Sequence, residues 1–305
     1  MKYSLIETIL VTGATGTVGS EVVKQLSKEE KKDINIRAAI HSQNKVDNLK
    51  QVVGNERIEF VSLDYSDPKT VHEAFTNIDK IFLLTIPSPN SVDIASNVIN
   101  EAKKNGIKHI VKLSVMNADA QPGYAMGRLH RQEEKIIEDS GIPYTFLRPT
   151  SFMQNFVNFF GQTIKSQDIF YFHGGDIKIS FIDARDIAAV AVKTLLDFEE
   201  GPNNYSNKSY NITGQESLSY SQAAEILSKE LGRRISYIDI SEEDARKGMM
   251  QSGMSNWLID IIIDGLNYII RGDYGSQTSP VFEQITGRKP ISFDQFVRDY
   301  SRYFK

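Results

Sequence analysis

The feature that most constrains this chain is Ile9-Leu10-Val11-Thr12-Gly13-Ala14-Thr15-Gly16-Thr17-Val18-Gly19. An apolar run enters a turn with evenly spaced glycines, and Val18, Val22 and Leu26 then recur at helical spacing. The pattern predicts a strand, a tight glycine turn and a helix. Such a turn aims backbone N–H groups and the positive helix N-terminus at one point, which suits a dinucleotide pyrophosphate, and the glycines leave room for its approach. Gly13, Thr15, Gly16, Thr17, Val18 and Gly19 are therefore candidate cofactor-binding residues. A glycine triplet alone also fits an ordinary turn; the buried-type strand before it and the amphipathic helix after it give it weight.

The 305-residue length allows one large domain or two, with a sizeable core. A net charge of -4 and a pI near 5.8 give no basic footprint, so no nucleic-acid partner is expected. There is no cysteine, which excludes disulfides, thiolate metal sites and thiol nucleophiles, and no metal is expected. Met1 to Ser4 run almost directly into the first strand, which predicts no signal peptide. The apolar stretch from Trp257 to Ile270 is broken by Asp260, Asp264 and Asn267 and reads as a packed helix rather than a membrane span. The expectation is a cytoplasmic protein with no membrane partner, a monomer or homodimer acting on a small molecule.

Ile34 to Ile40 reads as a second strand, ending Ala39-Ile40-His41-Ser42 where dinucleotide folds choose their cofactor. NAD sites place an acid there for the ribose hydroxyls, whereas NADP sites supply cations. With no acid in that position, His41, Ser42 and Lys45 are candidates for a 2′-phosphate, and NADP(H) is favoured. NAD(H) stays open, because Asp47 is near enough to reach a ribose and His41 and Lys45 are also ordinary loop residues. Ile58 to Asp64 is a third strand, with Asp64 either beside the adenine or capping a turn. Lys80 to Thr85 is a fourth, and its exit, Thr85-Ile86-Pro87, should run along the cofactor, since ligands of open α/β sheets sit outside the strands' carboxyl ends. His109 to Ser114 is a fifth.

In the helix that follows, a turn of about 100° per residue puts Tyr124 on a solvated face with Arg128, Arg131, Lys135 and Glu138. Met126, Leu129, Ile136 and Ile137 take the opposite side. His130 flanks that apolar stripe with Glu134 one turn on, and Glu133 falls within it, where it can pair with His130. His130 is either a satisfied core histidine or a functional one.

Thr12 to Gly19 resembles the fingerprint of the short-chain dehydrogenase/reductase superfamily, and Ser114 stands where that superfamily often keeps a catalytic serine. Its enzymes commonly use Tyr-x-x-x-Lys, of which Tyr124-Ala125-Met126-Gly127-Arg128 is a degraded copy. His130-Arg131-Gln132-Glu133-Glu134-Lys135, then Ser140-Gly141-Ile142-Pro143-Tyr144-Thr145-Phe146-Leu147-Arg148-Pro149, then Phe152-Met153-Gln154-Asn155, are similar to the NmrA-like branch of atypical members, and the similarity covers nearly the whole chain. That branch includes NAD(P)H-dependent quinone, azo-dye and triphenylmethane-dye reductases, and redox-sensing regulators that bind the dinucleotide without turnover. The resemblance implies a Rossmann-type doubly wound parallel sheet with a smaller, mainly helical C-terminal substrate lobe. It puts His130 at the catalytic lysine's place and Met126 at the tyrosine's, so the acid of ordinary ketone reduction is missing. His130 becomes the catalytic candidate, holding the nicotinamide ribose. A quinone, azo group or cationic dye takes hydride into a delocalised or readily protonated product, so positioning supplies most of the catalysis. The expected function is therefore an NAD(P)H-dependent reductase of conjugated acceptors. A silent NADP(H) sensor and an imine or enone reductase are the alternatives.

Beyond Pro149, Phe152, Phe156, Phe159 and Phe160 form an aromatic cluster that either packs as core or lines a flat pocket. Tyr124, Phe152, Met153, Asn155 and Phe156 are the substrate-binding candidates, the resemblance placing Met153 and Asn155 near substrate. Ile179 to Ile182 predicts a short strand, after which Asp183 with Asp186 caps a helix. Ser219 with Gln222 opens a helix ending at Gly232, Ser241 with Asp244 opens another, and Ser292 with Gln295 caps a last one. A nucleotide-binding domain of residues 1–150 plus 184–214 and a substrate lobe of 151–183 plus 215–305 are expected.

Overall fold

In the computed structural model, which describes residues 6–29, 34–41, 46–53, 58–197, 205–272 and 274–305, strands and helices alternate through the first half of the chain. In order these are β1 (Glu7–Val11), α1 (Thr17–Ser27), β2 (Ile34–Ile40), α2 (Val46–Val53), β3 (Ile58–Ser62), α3 (Pro68–Phe75), β4 (Lys80–Leu83), α4 (Ser91–Lys104), β5 (His109–Leu113), α5 (Ala125–Ser140) and β6 (Tyr144–Pro149). A π-helical turn at Phe156–Phe160 precedes α6 (Gly161–Gln167), β7 (Ile169–Phe172), β8 (Lys178–Ile179), α7 (Ala184–Leu196), β9 (Lys208–Ile212) and β10 (Leu218–Ser219). The chain closes with α8 (Tyr220–Leu231), β11 (Ser236–Asp239), α9 (Glu242–Gln251), α10 (Asn256–Gly272), α11 (Val281–Thr286) and α12 (Phe293–Asp299). Among the described residues, no helix is long and apolar enough to cross a membrane.

The chain divides into two units, Met1–Ser114, Leu129–Arg148 and Ile187–Tyr210 in one, Val115–Arg128, Pro149–Asp186 and Asn211–Lys305 in the other. The main sheet runs β3-β2-β1-β4-β5-β6-β9, with β1 to β6 paired in parallel. It is the doubly wound Rossmann arrangement. Strand order reverses between β1 and β4, and in open α/β sheets that crevice is where ligands sit. Buried on both faces, β4 and β5 have no exposed residue, which is why they read as near-continuous apolar runs. One face of the sheet packs Phe75, Ile81, Leu83, Ile110 and Phe146 into a single core.

The second unit has its own core, in which Phe156 lies within 4.8 Å of Phe293 and 5.3 Å of Phe181 between ring centroids. The Ser219–Gln222 capping box forms, and Gly232 ends α8 in the left-handed conformation at φ +69. Ser241 and Ser292 cap α9 and α12 as their sequences predict. The Asp183–Asp186 pair differs from expectation. Asp183 accepts from the Arg185 amide at 2.8 Å, but Asp186 turns to the Ile291 amide at 2.6 Å and the Arg288 guanidinium at 2.7 Å. A fully buried carboxylate beside a cation and a distant free amide takes those partners rather than the local one. The predicted strand from Ile179 to Ile182 shrinks to β8, with Ile182 held by a lone bridge to Phe152.

His109 on β5 makes stability depend on pH. Its Nε2 donates to the Thr145 hydroxyl at 2.9 Å, because that hydroxyl gives its own proton to the Tyr205 carbonyl at 2.8 Å. Burial, with the Lys80 cation nearby, pushes the imidazole down to about 3. The folded protein thus keeps it neutral while an unfolded chain takes up a proton below about pH 6.5, so this group removes up to ~1.4 kcal/mol of stability per pH unit on acidification. The urea midpoint should fall as pH drops from about 6.5 towards 3, and His109→Gln should make that slope shallower.

Candidate functional site

The first unit opens α1 on a glycine turn at the exit of β1. The Thr12 hydroxyl ties that exit to β4, donating to the Phe82 carbonyl at 3.1 Å and accepting from the Leu84 amide at 2.7 Å. Gly13 then turns at φ +61, a left-handed conformation that favours glycine, and its carbonyl accepts from the Gly16 amide at 2.9 Å. Gly16 is the N-cap of α1, without a side-chain cap, and the first turn carries no acid. The leading amides of α1 therefore lack both an intrahelical acceptor and a competing anion. A Cβ built on Gly16 would meet only the Gly13 carbonyl, at 3.2 Å, which leaves the space over the turn open. Gly19 is the opposite case. Its Cβ would stand 2.2 Å from the Gly13 carbonyl oxygen, so the helix rests directly on the turn. Thr15 is half-buried, Thr17 exposed and Val18 in the core. A pyrophosphate fits this end of α1.

His41 is exposed at the end of β2, while Ser42 and Lys45 lie outside the described residues. Asp64, two residues past β3, accepts from the hydroxyl and the amide of Ser66 at 2.7 and 2.8 Å. Those bonds, with the nearby His41 ring, hold its carboxyl below the usual range. At the exit of β4, Thr85 is buried, Ile86 is 66% exposed and Pro87 is half-buried.

Beneath that exit lies a set of buried charges. Lys112 on β5 and Glu133 on α5 are 0% and 1% exposed, with Nζ and Oε2 2.6 Å apart. Thr85 donates to Glu133 at 2.8 Å and accepts from Lys112 at 3.2 Å. His130 Nδ1 stands 3.5 Å from both Lys112 Nζ and Glu133 Oε2. The anticipated His130–Glu133 contact is present, but the carboxylate's tighter partners are Lys112 and Thr85. Burial and the Lys112 cation hold the His130 imidazole well below its ordinary pKa. Beside this group, Glu134 accepts from Arg148 Nε and Nη2 at 2.9 and 2.7 Å and from Ser114 at 2.7 Å. The Ser114 hydroxyl spends its proton inside the protein.

The inward face of α5 is thus polar where the spacing predicts an apolar stripe. His130, Glu133, Glu134 and Ile137 are buried, and Leu129 and Ile136 only half-buried. Lys112 and Arg148 were not anticipated as site residues. The one available signal was a lysine in the middle of the apolar run His109 to Leu113.

The second unit carries a half-open cavity of about 370 Å³ lined by Met116, Tyr124, Met126, Phe152, Asn155, Ile261, Leu266, Tyr268 and Tyr274 among others. Tyr124 departs from the solvated face assigned to it. The helix begins one residue later, where the Ala125 amide donates to Asp264 at 2.6 Å. The Tyr124 ring then stacks on Tyr268 at 4.9 Å, and Tyr268 on Tyr274 at 4.3 Å. Its hydroxyl donates to the Met116 carbonyl at 2.8 Å, and burial pushes its pKa up. Of the other substrate candidates, Phe152 and Asn155 line this cavity, whereas Met153 and Phe156 lie in the aromatic core. Tyr268 and Tyr274 had no signal in the sequence that set them apart from packing residues.

Comparison with known proteins places the chain. An NAD(P)H azoreductase from Xenophilus azovorans is 32% identical over 297 residues, covering 97% of this chain and 99% of that protein. An NADPH-dependent quinone oxidoreductase from Escherichia coli, solved with NADPH, is 26% identical with a TM-score of 0.80 over 97% of this chain and 100% of its own. A triphenylmethane reductase from Citrobacter sp. shares the fold at 23% identity and a TM-score of 0.80, over 97% of this chain and 100% of its own. The NmrA-like family profile matches residues 6–263. The chain belongs to the NmrA-like family.

Proposed function

We propose that this protein is an NAD(P)H-dependent oxidoreductase, with NADPH preferred, that passes hydride to a flat conjugated acceptor, a quinone ahead of an anionic dye. The amides opening α1 take the pyrophosphate. His41, with Ser42 and Lys45, takes the 2′-phosphate, Asp64 lies towards the adenine, and Thr85, Ile86, Pro87, Ser114 and His130 keep the nicotinamide end. The cofactor's chemistry is to supply the hydride; the protein's part is to hold donor and acceptor in register, worth up to the ~7–11 kcal/mol available from positioning. Tyr124, Phe152 and Asn155 hold the acceptor. We place the protein in the cytoplasm, as a monomer or homodimer.

The cavity carries this reading. Among the described residues lining it, none bears a charged side chain, while three tyrosine rings stack in series along it. Burying an unpaired sulfonate against such a wall is costly, and an uncharged planar ring is not. The test is NADPH oxidation with an uncharged naphthoquinone, a sulfonated azo dye and a cationic triphenylmethane dye. The quinone should exceed the sulfonated dye in kcat/KM by about tenfold or more. Tight NADPH binding without oxidation by any of the three would replace this reading with a cofactor-sensing one.

Because the Tyr124 hydroxyl is spent on the Met116 carbonyl, Tyr124→Phe should leave kcat for the quinone within a few-fold. A fall on the ~10²–10⁴-fold scale of general acid catalysis would make Tyr124 the proton donor after all.

A further inference from the structure

We infer that Lys112 is a positioning residue for His130: its ammonium, balanced by the Glu133 carboxylate, faces Nδ1 of the imidazole and fixes that ring in its neutral form. The kinetic part of this inference rests on the reading of His130 as a cofactor-holding group; the structural part does not.

Charge balance in a dry site fixes the state of the ring. Lys112 Nζ and Glu133 Oε2 are 2.6 Å apart and essentially unexposed, so together they contribute no net charge. His130 Nδ1 lies 3.5 Å from each, and a proton there would put a second cation beside the ammonium with one carboxylate to share. Thr85 completes the group from the β4 side and is uncharged, its hydroxyl proton already given to Glu133. Tyr65, also near Glu133, donates its phenol to the Leu84 carbonyl, and burial keeps that proton in place; the neighbouring Glu134 carboxylate is balanced by Arg148. A neutral His130 keeps one donor and one acceptor nitrogen across the physiological range. It can hold a ribose hydroxyl without changing state as the surroundings acidify.

Replacing Lys112 reverses the balance. In Lys112→Met the Glu133 carboxylate is left facing Nδ1, and an imidazolium becomes its natural partner. Adding Glu133→Gln removes both charges and returns the ring to neutrality. With histidines isotopically labelled and the His130 signal assigned through His130→Asn, NMR titration should show no His130 ionisation between about pH 5 and 8 in the native protein. It should show one in Lys112→Met, and none in the double variant. In parallel, kcat/KM for NADPH should be flat over that range in the native protein and fall by up to about tenfold per pH unit on the acid side in Lys112→Met. A native His130 that titrates in this window overturns the proposal, and that measurement decides even where Lys112→Met fails to fold. A folded Lys112→Met whose His130 stays neutral overturns it equally. A native protein that oxidises no NADPH while its His130 stays neutral would instead remove the proposed function and leave the charge balance standing.

Discussion

Replacing Gly19 with alanine should both destabilise the protein and weaken its hold on NADPH, and valine should do more. The added Cβ would lie 2.2 Å from the Gly13 carbonyl oxygen and 2.7 Å from its carbon, both backbone atoms that no side-chain rotation can move away. Helix α1 must lift off the turn. Overpacking of this kind typically removes about 1–3 kcal/mol, and more where only backbone can yield. The same lift moves the leading amides of α1, so affinity for NADPH should fall by at least about tenfold, the equivalent of 1.4 kcal/mol. Gly16→Ala separates the two effects. Its Cβ meets only the Gly13 carbonyl at 3.2 Å and otherwise enters the space over the turn, so it should cost little stability while still reducing affinity. Melting temperature and calorimetric titration with NADPH, on both variants, check this. Equal loss of stability in the two would contradict it.

The second large effect is expected at Glu134. Its carboxylate, 0% exposed, accepts two bonds from the buried Arg148 guanidinium, one from Ser114 at 2.7 Å and one from Arg131 at 3.2 Å. Removing one partner of a buried ion pair typically costs about 3–5 kcal/mol, because the remaining charge stays desolvated. Glu134→Ala should therefore lower the denaturant midpoint steeply, a large part of the stability of a typical domain. Arg131 is the control. It is one-third exposed and also bridges Glu138, so Arg131→Ala should cost no more than about 1 kcal/mol. Similar midpoints for the two variants would show that the network contributes as a surface pair does.

The sequence discloses the elements whose signal is local. Ile34 to Ile40 is a strand residue for residue, and the caps at Ser219, Ser241 and Ser292 form where the short polar side chain precedes the amide that donates to it. The glycine turn is legible for the same reason. What stays hidden depends on partners far away in the chain. The inward face of α5 defeats an argument from apolar spacing because Glu133 and Glu134 meet Lys112 and Arg148 on neighbouring strands, and four buried charges satisfy one another. Tyr124 misleads because the start of α5 is fixed by Asp264, well over a hundred residues on. The substrate candidates divide for a subtler reason. Phe152 is in an extended bridge to Ile182, where successive side chains point to opposite sides, so Phe152 reaches the cavity with Asn155 while Met153, like Phe156, lies in the core.

Every proposed role in this protein depends on a dinucleotide held by the uncapped amides at the start of α1. Isothermal titration of the purified protein with NADPH tests this directly, with NADH and the Gly19→Ala variant alongside. Saturable binding of one NADPH per chain, weaker for NADH and weakened again by Gly19→Ala, is the predicted result. No heat and no saturation with either nucleotide would contradict it.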